Sequence, residues 1–117
     1  PSDYVAVVVP GGRAPEYLRN DPDVRRILKH FFDADAPVAA LCHGPLILAA
    51  AGVLEGRRSS AYPALAVDVE TAGGTFVDAP DVVDGNLVTG RAWPDHPQWF
   101  RAFMEQLRKA APVSRIG

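Results

Sequence analysis

The first third of the chain alternates between continuous apolar runs and apolar residues at a helical spacing. Residues 4–9 read YVAVVV, and a run that is apolar on both faces is typical of an interior strand of a parallel sheet. Asp21 is a capping residue and Pro22 a first-turn proline, and an apolar stripe follows them that predicts a helix ending near Ala34. The stripe contains Val24, Ile27, Leu28, Phe31 and Phe32. A second apolar run at residues 38–41 completes a strand–helix–strand unit, so the two strands are expected to be parallel.

The rest of the chain continues this alternation. Residues 45–51, PLILAAA, precede Gly52 and predict a helix directly after Cys42 and His43. Residues 64–72 predict another helix, and residues 82–88 predict two strands about an Asp-Gly turn. Asp95 and Gln98 resemble a capping box at the start of a last predicted helix. The apolar stripe of that helix contains Phe100, Phe103, Met104 and Leu107. The pattern predicts one domain over residues 1–117, an α/β sandwich with a mostly parallel sheet.

Composition and charge narrow the classes of partner. The chain has 117 residues, 48% of them hydrophobic, and a net charge of -2, so no overall positive field favours nucleic acid or anionic lipid. No apolar run approaches the roughly 20 residues of a membrane-spanning helix. A single cysteine excludes an internal disulfide, and neither CxxC nor HExxH is present. We therefore expect a cytoplasmic protein with no metal or cofactor, no nucleic-acid partner and no membrane segment.

The one cysteine lies at a predicted strand-to-helix turn. Residues 40–44, ALCHG, have the small flanking residues of a nucleophile elbow. Amides at the start of the next helix, beginning with Gly44, would stabilise a thiolate, which is the nucleophilic form. Cys42 is thus a candidate nucleophile, with His43 as its base or cationic partner. The alternatives are a buried structural cysteine and a solvent-exposed or capping histidine.

A glycine-rich loop follows the first predicted strand. Residues 10–16 read PGGRAPE, and ligands of open parallel sheets bind at the carboxyl ends of the strands. The amides of Gly11 and Gly12 could hold a carboxylate, a phosphate or an oxyanion, or the loop could simply need a positive φ. The absence of GxGxxG and Walker patterns disfavours nucleotide binding. His30 and His96 are expected to be surface or capping residues and receive no role.

Four segments together resemble the ThiJ/PfpI superfamily, most closely its PfpI-type intracellular protease branch. They are VVVPGGRAPEYLR, PVAALCHGPLILAAAGVLEGRR, AYPAL and VVDGNLVTGR, and the likeness extends from about Tyr4 to Leu107. The resemblance implies the flavodoxin-like three-layer sandwich shared with class I glutamine amidotransferase domains. It also implies that the chain corresponds to the C-terminal two thirds of the family's usual length. The remaining third would supply a strand, a helix and an acidic residue beside the cysteine.

The resemblance also implies roles for individual residues. Cys42 matches the family's nucleophile and His43 the histidine beside it. Glu16 matches a glutamate that reaches across an interface to the histidine of a neighbouring subunit, so a homo-oligomer, from dimer to hexamer, is expected. Gly12 and the amide of His43 would form the oxyanion hole, and Tyr62 would line the pocket.

Several reactions fit these residues. The resemblance implies a peptidase, a deglycase acting on proteins modified by methylglyoxal or glyoxal, or a glutathione-independent glyoxalase. All begin with thiolate addition to an electrophilic carbon, so the substrate could be a small carbonyl compound, a glycated protein or a peptide. We favour carbonyl or deglycase chemistry because a small sandwich offers no long cleft for a polypeptide.

The alternative is a stress-response redox sensor or chaperone-like protein in which Cys42 turns nothing over. An amidotransferase is set aside because its late H-x-E motif is missing.

Overall fold

Strands and helices alternate along the chain in the computed structural model, which describes residues 1–110. The strands are β1 Val7–Val9, β2 Val38–Leu41, β3 Arg58–Ser59, β4 Thr75–Phe76, β5 Val82–Asp84 and β6 Leu87–Gly90. The helices are α1 Ala14–Leu18, α2 Pro22–Asp33, α3 Pro45–Ala50, α4 Ala66–Thr71 and α5 His96–Ala110, with 3-10 turns at Pro63–Leu65 and Trp93–Asp95. Within residues 1–110, no helix has the length and apolar character needed to cross a membrane.

The main sheet has the strand order β1-β2-β6-β5. β1, β2 and β6 are parallel, and β5 is antiparallel to β6. Val9 pairs with Ala40, and Leu41 pairs with Gly90, so the three parallel strands end at the same edge of the sheet. The segments that follow them meet at this edge, where open parallel sheets bind ligands. β3 and β4 form a separate parallel pair.

Helices cover both faces of the main sheet, which confirms the predicted three-layer α/β sandwich. Alternate residues of β2 point to opposite faces. On one face Val38 and Ala40 pack in a cluster with α2, α3 and α4; on the other Ala39 and Leu41 pack against Trp99 and Phe103 of α5. Leu48 and Leu54 of the first cluster are fully buried, so truncating either to alanine would cost about 2–5 kcal/mol of stability.

The first strand is shorter and less buried than its apolar run predicts. It contains only Val7–Val9, while Tyr4 and Val5 are exposed and Val8 is 45% exposed. β1 lies at the edge of the described sheet and pairs only with β2. The α5 layer packs on β6 and β2 and leaves Val8 uncovered. The prediction of a strand buried on both faces is therefore wrong for the described residues.

The predicted helix boundaries hold for α2 and α3. The Asp21 carboxylate accepts a hydrogen bond from the amide of Asp23 at 2.8 Å, which is the expected N-cap. α3 ends at Ala50, and Gly52 adopts φ +76° just beyond it, as the predicted C-terminal glycine should. The helix predicted at residues 64–72 divides into a 3-10 turn and α4. The sequence pattern does not predict the short elements α1, β3 and β4.

Two predictions near the C-terminal part of the sheet need correction. The hairpin loop between β5 and β6 is Gly85-Asn86, one residue later than the predicted Asp-Gly turn. Asp95 does not form a capping box, because its carboxylate accepts hydrogen bonds from Arg91. Phe100 is 50% exposed, whereas Trp99, which the predicted stripe omits, is buried and donates its indole hydrogen to the Val88 carbonyl.

Candidate active site

Cys42 directly follows β2 and lies at the sheet edge where the parallel strands end. Its φ of +62° makes it one of two non-glycine residues with a positive φ within residues 1–110, a conformation that costs about 1–2 kcal/mol. Three main-chain hydrogen bonds hold this turn: Cys42 N–H to Gly90 O at 3.2 Å, Gly44 N–H to Leu41 O at 2.8 Å and Tyr62 N–H to Cys42 O at 2.9 Å. The predicted strand-to-helix turn is confirmed, with its strain at the cysteine itself.

Two glycines permit the close approach of the chain at this turn. A Cβ atom on Gly44 would lie 2.5 Å from the carbonyl oxygen of Val9, which is a severe overlap. A Cβ atom on Gly11 would lie 2.7 Å from Cβ and 3.2 Å from Sγ of Cys42. Gly44 therefore lets the start of α3 pack against the end of β1, and Gly11 leaves room for the cysteine side chain.

The thiol and the imidazole of the adjacent histidine are in contact. Sγ of Cys42 lies 3.3 Å from Nδ1 of His43, so a thiol can donate to the neutral ring or a protonated ring can donate to a thiolate. The His43 ring stacks on Tyr62 with centroids 5.1 Å apart and planes 24° apart. The positive φ of Cys42 thus brings two neighbouring side chains together, and Tyr62 restricts the imidazole.

The loop that follows β1 and the turn at Cys42 both contain main-chain amides without an acceptor among the described residues. Among hydrogen bonds between described residues, none is donated by the amides of Gly11, Gly12 or His43. Gly12 has φ +84°, which explains the glycine at that position. Unpaired amides beside a nucleophile are what an oxyanion hole requires.

Cys42 opens into a cavity of about 510 Å³ with largely apolar walls. The residues that line it are Val8, Pro10, Gly11, Gly12, Leu41, Cys42, Tyr62, Ala92, Trp93, His96 and Trp99. His96, expected only at the surface, is exposed and also forms part of this wall. The sequence motifs do not predict Trp93 and Trp99 as site residues. The signal that could have found them is their place just after β6, which ends beside β2.

Glu16 does not line this cavity. It belongs to α1 rather than to a loop. Its carboxylate is 3.9 Å from Nη2 of Arg13. His30 lies on α2 with its ring against Phe31 and is likewise outside the cavity. Among the described residues no group of three or more His, Cys, Asp or Glu side chains is arranged to hold a metal ion.

An ion pair fixes the segment that carries the far wall of the cavity. The buried carboxylate of Asp95 accepts hydrogen bonds from the amide, Nε and Nη2 of Arg91 at 2.9, 2.9 and 3.0 Å. Hydrogen bonds from the Arg91 side chain lower the pKa of Asp95, against the opposing effect of burial. Asp95, and secondarily Asp78, raise the pKa of Arg91. The pair closes the turn that presents Trp93 and His96.

Comparisons with known proteins agree on the family. The sequence profile described as the DJ-1/PfpI family matches residues 1–106. The Arabidopsis thaliana protein DJ-1 homolog D is 51% identical over 91% of this chain and 28% of its own length. A Pyrococcus abyssi deglycase is 46% identical over 92% of this chain and 65% of its own length. The chain thus spans between about a quarter and two thirds of the length of these relatives.

Solved structures show the same fold. A two-domain Anabaena variabilis protein with DJ-1/ThiJ/PfpI-like and ferritin-like domains superposes with a TM-score of 0.89 at 33% sequence identity. The match covers 97% of this chain and 33% of that one. The match of the family profile to residues 1–106 and the shared fold show that the chain belongs to the DJ-1/PfpI family.

Proposed function

We propose that this chain supplies the nucleophile, its proton acceptor and the oxyanion site of a cysteine-dependent deglycase or related hydrolase. The observation that supports this most directly is the 3.3 Å contact between Cys42 Sγ and His43 Nδ1 at a turn that opens into a cavity. Relatives named as deglycases, such as the Pyrococcus abyssi protein, support the same reaction class.

The first step follows from this geometry. The thiol proton passes to Nδ1 of His43, and the sulfur of Cys42 adds to the carbonyl carbon of the substrate. A carbon–sulfur bond forms, and the electron pair of the carbonyl bond moves to its oxygen. The amides of Gly12 and His43 stabilise that oxygen, while the imidazolium can return its proton to the departing group or to the oxygen.

The cavity favours a small carbonyl compound or a modified side chain over a folded polypeptide. Its volume of about 510 Å³ lies within the range of small-molecule sites. The competing function is a redox sensor in which Cys42 is oxidised and no substrate is turned over. The half-buried thiol is compatible with this second function, and turnover distinguishes the two.

The test measures turnover by the protein that carries this chain. A peptide modified by methylglyoxal is supplied in large excess, and the release of the unmodified peptide is followed by chromatography. We expect the wild type to convert many equivalents of modified peptide per Cys42 and the Cys42→Ser variant to convert none. The turnover rate of His43→Gln should be about a hundredfold below that of the wild type. Consumption of one equivalent or less would support the sensor. Unchanged turnover in Cys42→Ser would exclude the proposed nucleophile.

A further inference from the structure

The Cys42 cavity has largely apolar walls, so the polar groups of its described lining residues are few. No Asp, Glu, Lys or Arg side chain is among the described residues that line it. The amides of Gly11 and Gly12 donate to no described residue, and both glycines line the cavity. A largely apolar wall with a few donors and no carboxylate suits a ligand that has an apolar part and a negatively charged oxygen group.

His96 is the only residue with a basic side chain among the described residues that line the cavity. Its imidazole makes no hydrogen bond to any residue within 1–110, and its ring lies 5.8 Å from the Trp99 ring at an angle of 31°. The nearest negative charge in sequence is Asp95, which is already paired with Arg91. His96 therefore retains both ring nitrogens for a ligand.

His43 cannot fill the same role. Its Nδ1 contacts the Cys42 sulfur, its ring stacks on Tyr62, and it does not line the cavity. A substrate attacked by Cys42 would extend from the thiol across the cavity, and a polar end group would then need a partner on the other wall. His96 is the lining side chain that can meet it with a positive charge.

We propose that His96 is a specificity-determining residue that binds a carboxylate on the carbonyl substrate while Cys42 attacks the carbonyl carbon. The inference rests on the proposed function for the identity of the attacking group. It adds a substrate class, namely carbonyl compounds with an anionic oxygen group beyond the reacting carbon. A site formed by Cys42 and His96 would favour these anionic compounds over neutral carbonyl compounds of the same size.

Two alkylating reagents of nearly equal size test this binding without any turnover. Iodoacetate carries a carboxylate and iodoacetamide is neutral, and Cys42 is the only thiol in the chain. Second-order rates are measured by mass spectrometry at pH 6. The wild type, His96→Gln and His30→Gln are compared. The His30 variant makes the same chemical change outside the cavity.

We expect the ratio of the iodoacetate rate to the iodoacetamide rate to fall by about threefold in His96→Gln, the scale of a solvent-accessible charge pair. The ratio should stay at the wild-type value in His30→Gln. An unchanged ratio in His96→Gln, or an equal fall in both variants, overturns the role of His96. If Cys42 reacts with both reagents no faster than a thiol in a denatured chain, the proposed nucleophile fails instead.

Discussion

The ring of Tyr62 stacks on the imidazole of His43, with the centroids 5.1 Å apart. The same residue donates its main-chain N–H to the carbonyl of Cys42 at 2.9 Å. Tyr62 thus holds both the backbone of the strained turn and the ring that contacts the thiol. The residue is 42% exposed and also lines the cavity.

Tyr62→Phe and Tyr62→Ala separate the ring from the hydroxyl. Phenylalanine keeps the stacked ring, and we expect its kcat/KM to stay within about threefold of the wild type. Alanine leaves the imidazole unrestrained, and a loss of about tenfold or more is expected because small errors in orientation are costly. Steady-state kinetics on the modified peptide measures both. Equal losses in the two variants would instead assign a chemical role to the phenolic hydroxyl.

Gly11→Ala should displace the nucleophile. The new Cβ atom would meet Cβ of Cys42 at 2.7 Å, so the cysteine side chain or the loop must move. We expect the iodoacetamide rate and kcat/KM to fall about tenfold or more. Overpacking of this kind also costs about 1–3 kcal/mol in the free energy of unfolding, which chemical denaturation measures.

Gly52→Ala is the matched control for that loss of stability. Gly52 has φ +76°, and a Cβ atom placed there would meet no described atom within 4 Å, so alanine costs about 1–2 kcal/mol through backbone strain alone. It lies at the end of α3, away from the thiol. The reactivity of Cys42 should remain at the wild-type level. A similar fall in both variants would trace the effect to stability rather than to the Gly11 contact.

The local sequence pattern predicts the helices and strands that pack the core. It does not predict elements and contacts that depend on residues distant in the sequence. α2 follows from its 3.6-residue apolar spacing and its Asp21 cap, and β2 from its apolar run. β3 and β4 have two residues each, too few to show a period. Asp95 has the sequence of a helix cap but pairs with Arg91, since the arginine offers a stronger, charged set of donors.

The candidate site divides in the same way. Cys42, His43 and Gly44 are consecutive, so their turn is encoded locally and could be predicted. The position of His96 depends on β6 lying beside β2, which brings the start of α5 to the cysteine. No motif near His96 signals this, although every segment after a parallel strand could have been assigned to one sheet edge.

Asp95→Asn should weaken the fold in a pH-dependent manner. The pKa of Asp95 is lowered in the folded state, so the carboxylate stabilises the protein above its unfolded pKa of about 3.9. That contribution is lost as the pH falls through the folded pKa. We expect the Asn variant to melt about 5 °C below the wild type at pH 7. The difference should narrow steadily in melts taken below pH 4.

Asp78→Asn provides the control for this ion pair. Its carboxylate contacts the same arginine at 3.0 Å, but its side chain is 63% exposed against 7% for Asp95. An exposed pair contributes little to stability. At pH 7 we therefore expect Asp78→Asn to lower the Tm by much less than Asp95→Asn does. A difference between Asp95→Asn and the wild type that persists at pH 2 would show that packing, not charge, causes the loss.

Glu16 should act on the site of a neighbouring subunit in a homo-oligomer. Within one subunit it does not line the Cys42 cavity, and its contact with Arg13 is long and exposed, which leaves the carboxylate available. A carboxylate beside His43 would orient the ring and stabilise its protonated form. We therefore expect Glu16→Gln to lower kcat by about tenfold or more, and Arg13→Gln to remain near the wild type.

Mixing two impaired variants tests whether Glu16 acts across an interface. Glu16→Gln and Cys42→Ser subunits are unfolded together and reassembled at equal amounts, and mixed oligomers are verified by native mass spectrometry. A site is intact when a subunit with Cys42 faces one with Glu16, so random assembly should restore about a quarter of wild-type activity for any closed ring or dimer. Cys42→Ser has no nucleophile and Glu16→Gln retains at most about a tenth of the wild-type kcat, so activity well above that of the parents can arise only from shared sites. Mixed oligomers without recovery, or an active monomer in light scattering, would place the effect of Glu16 within its own subunit.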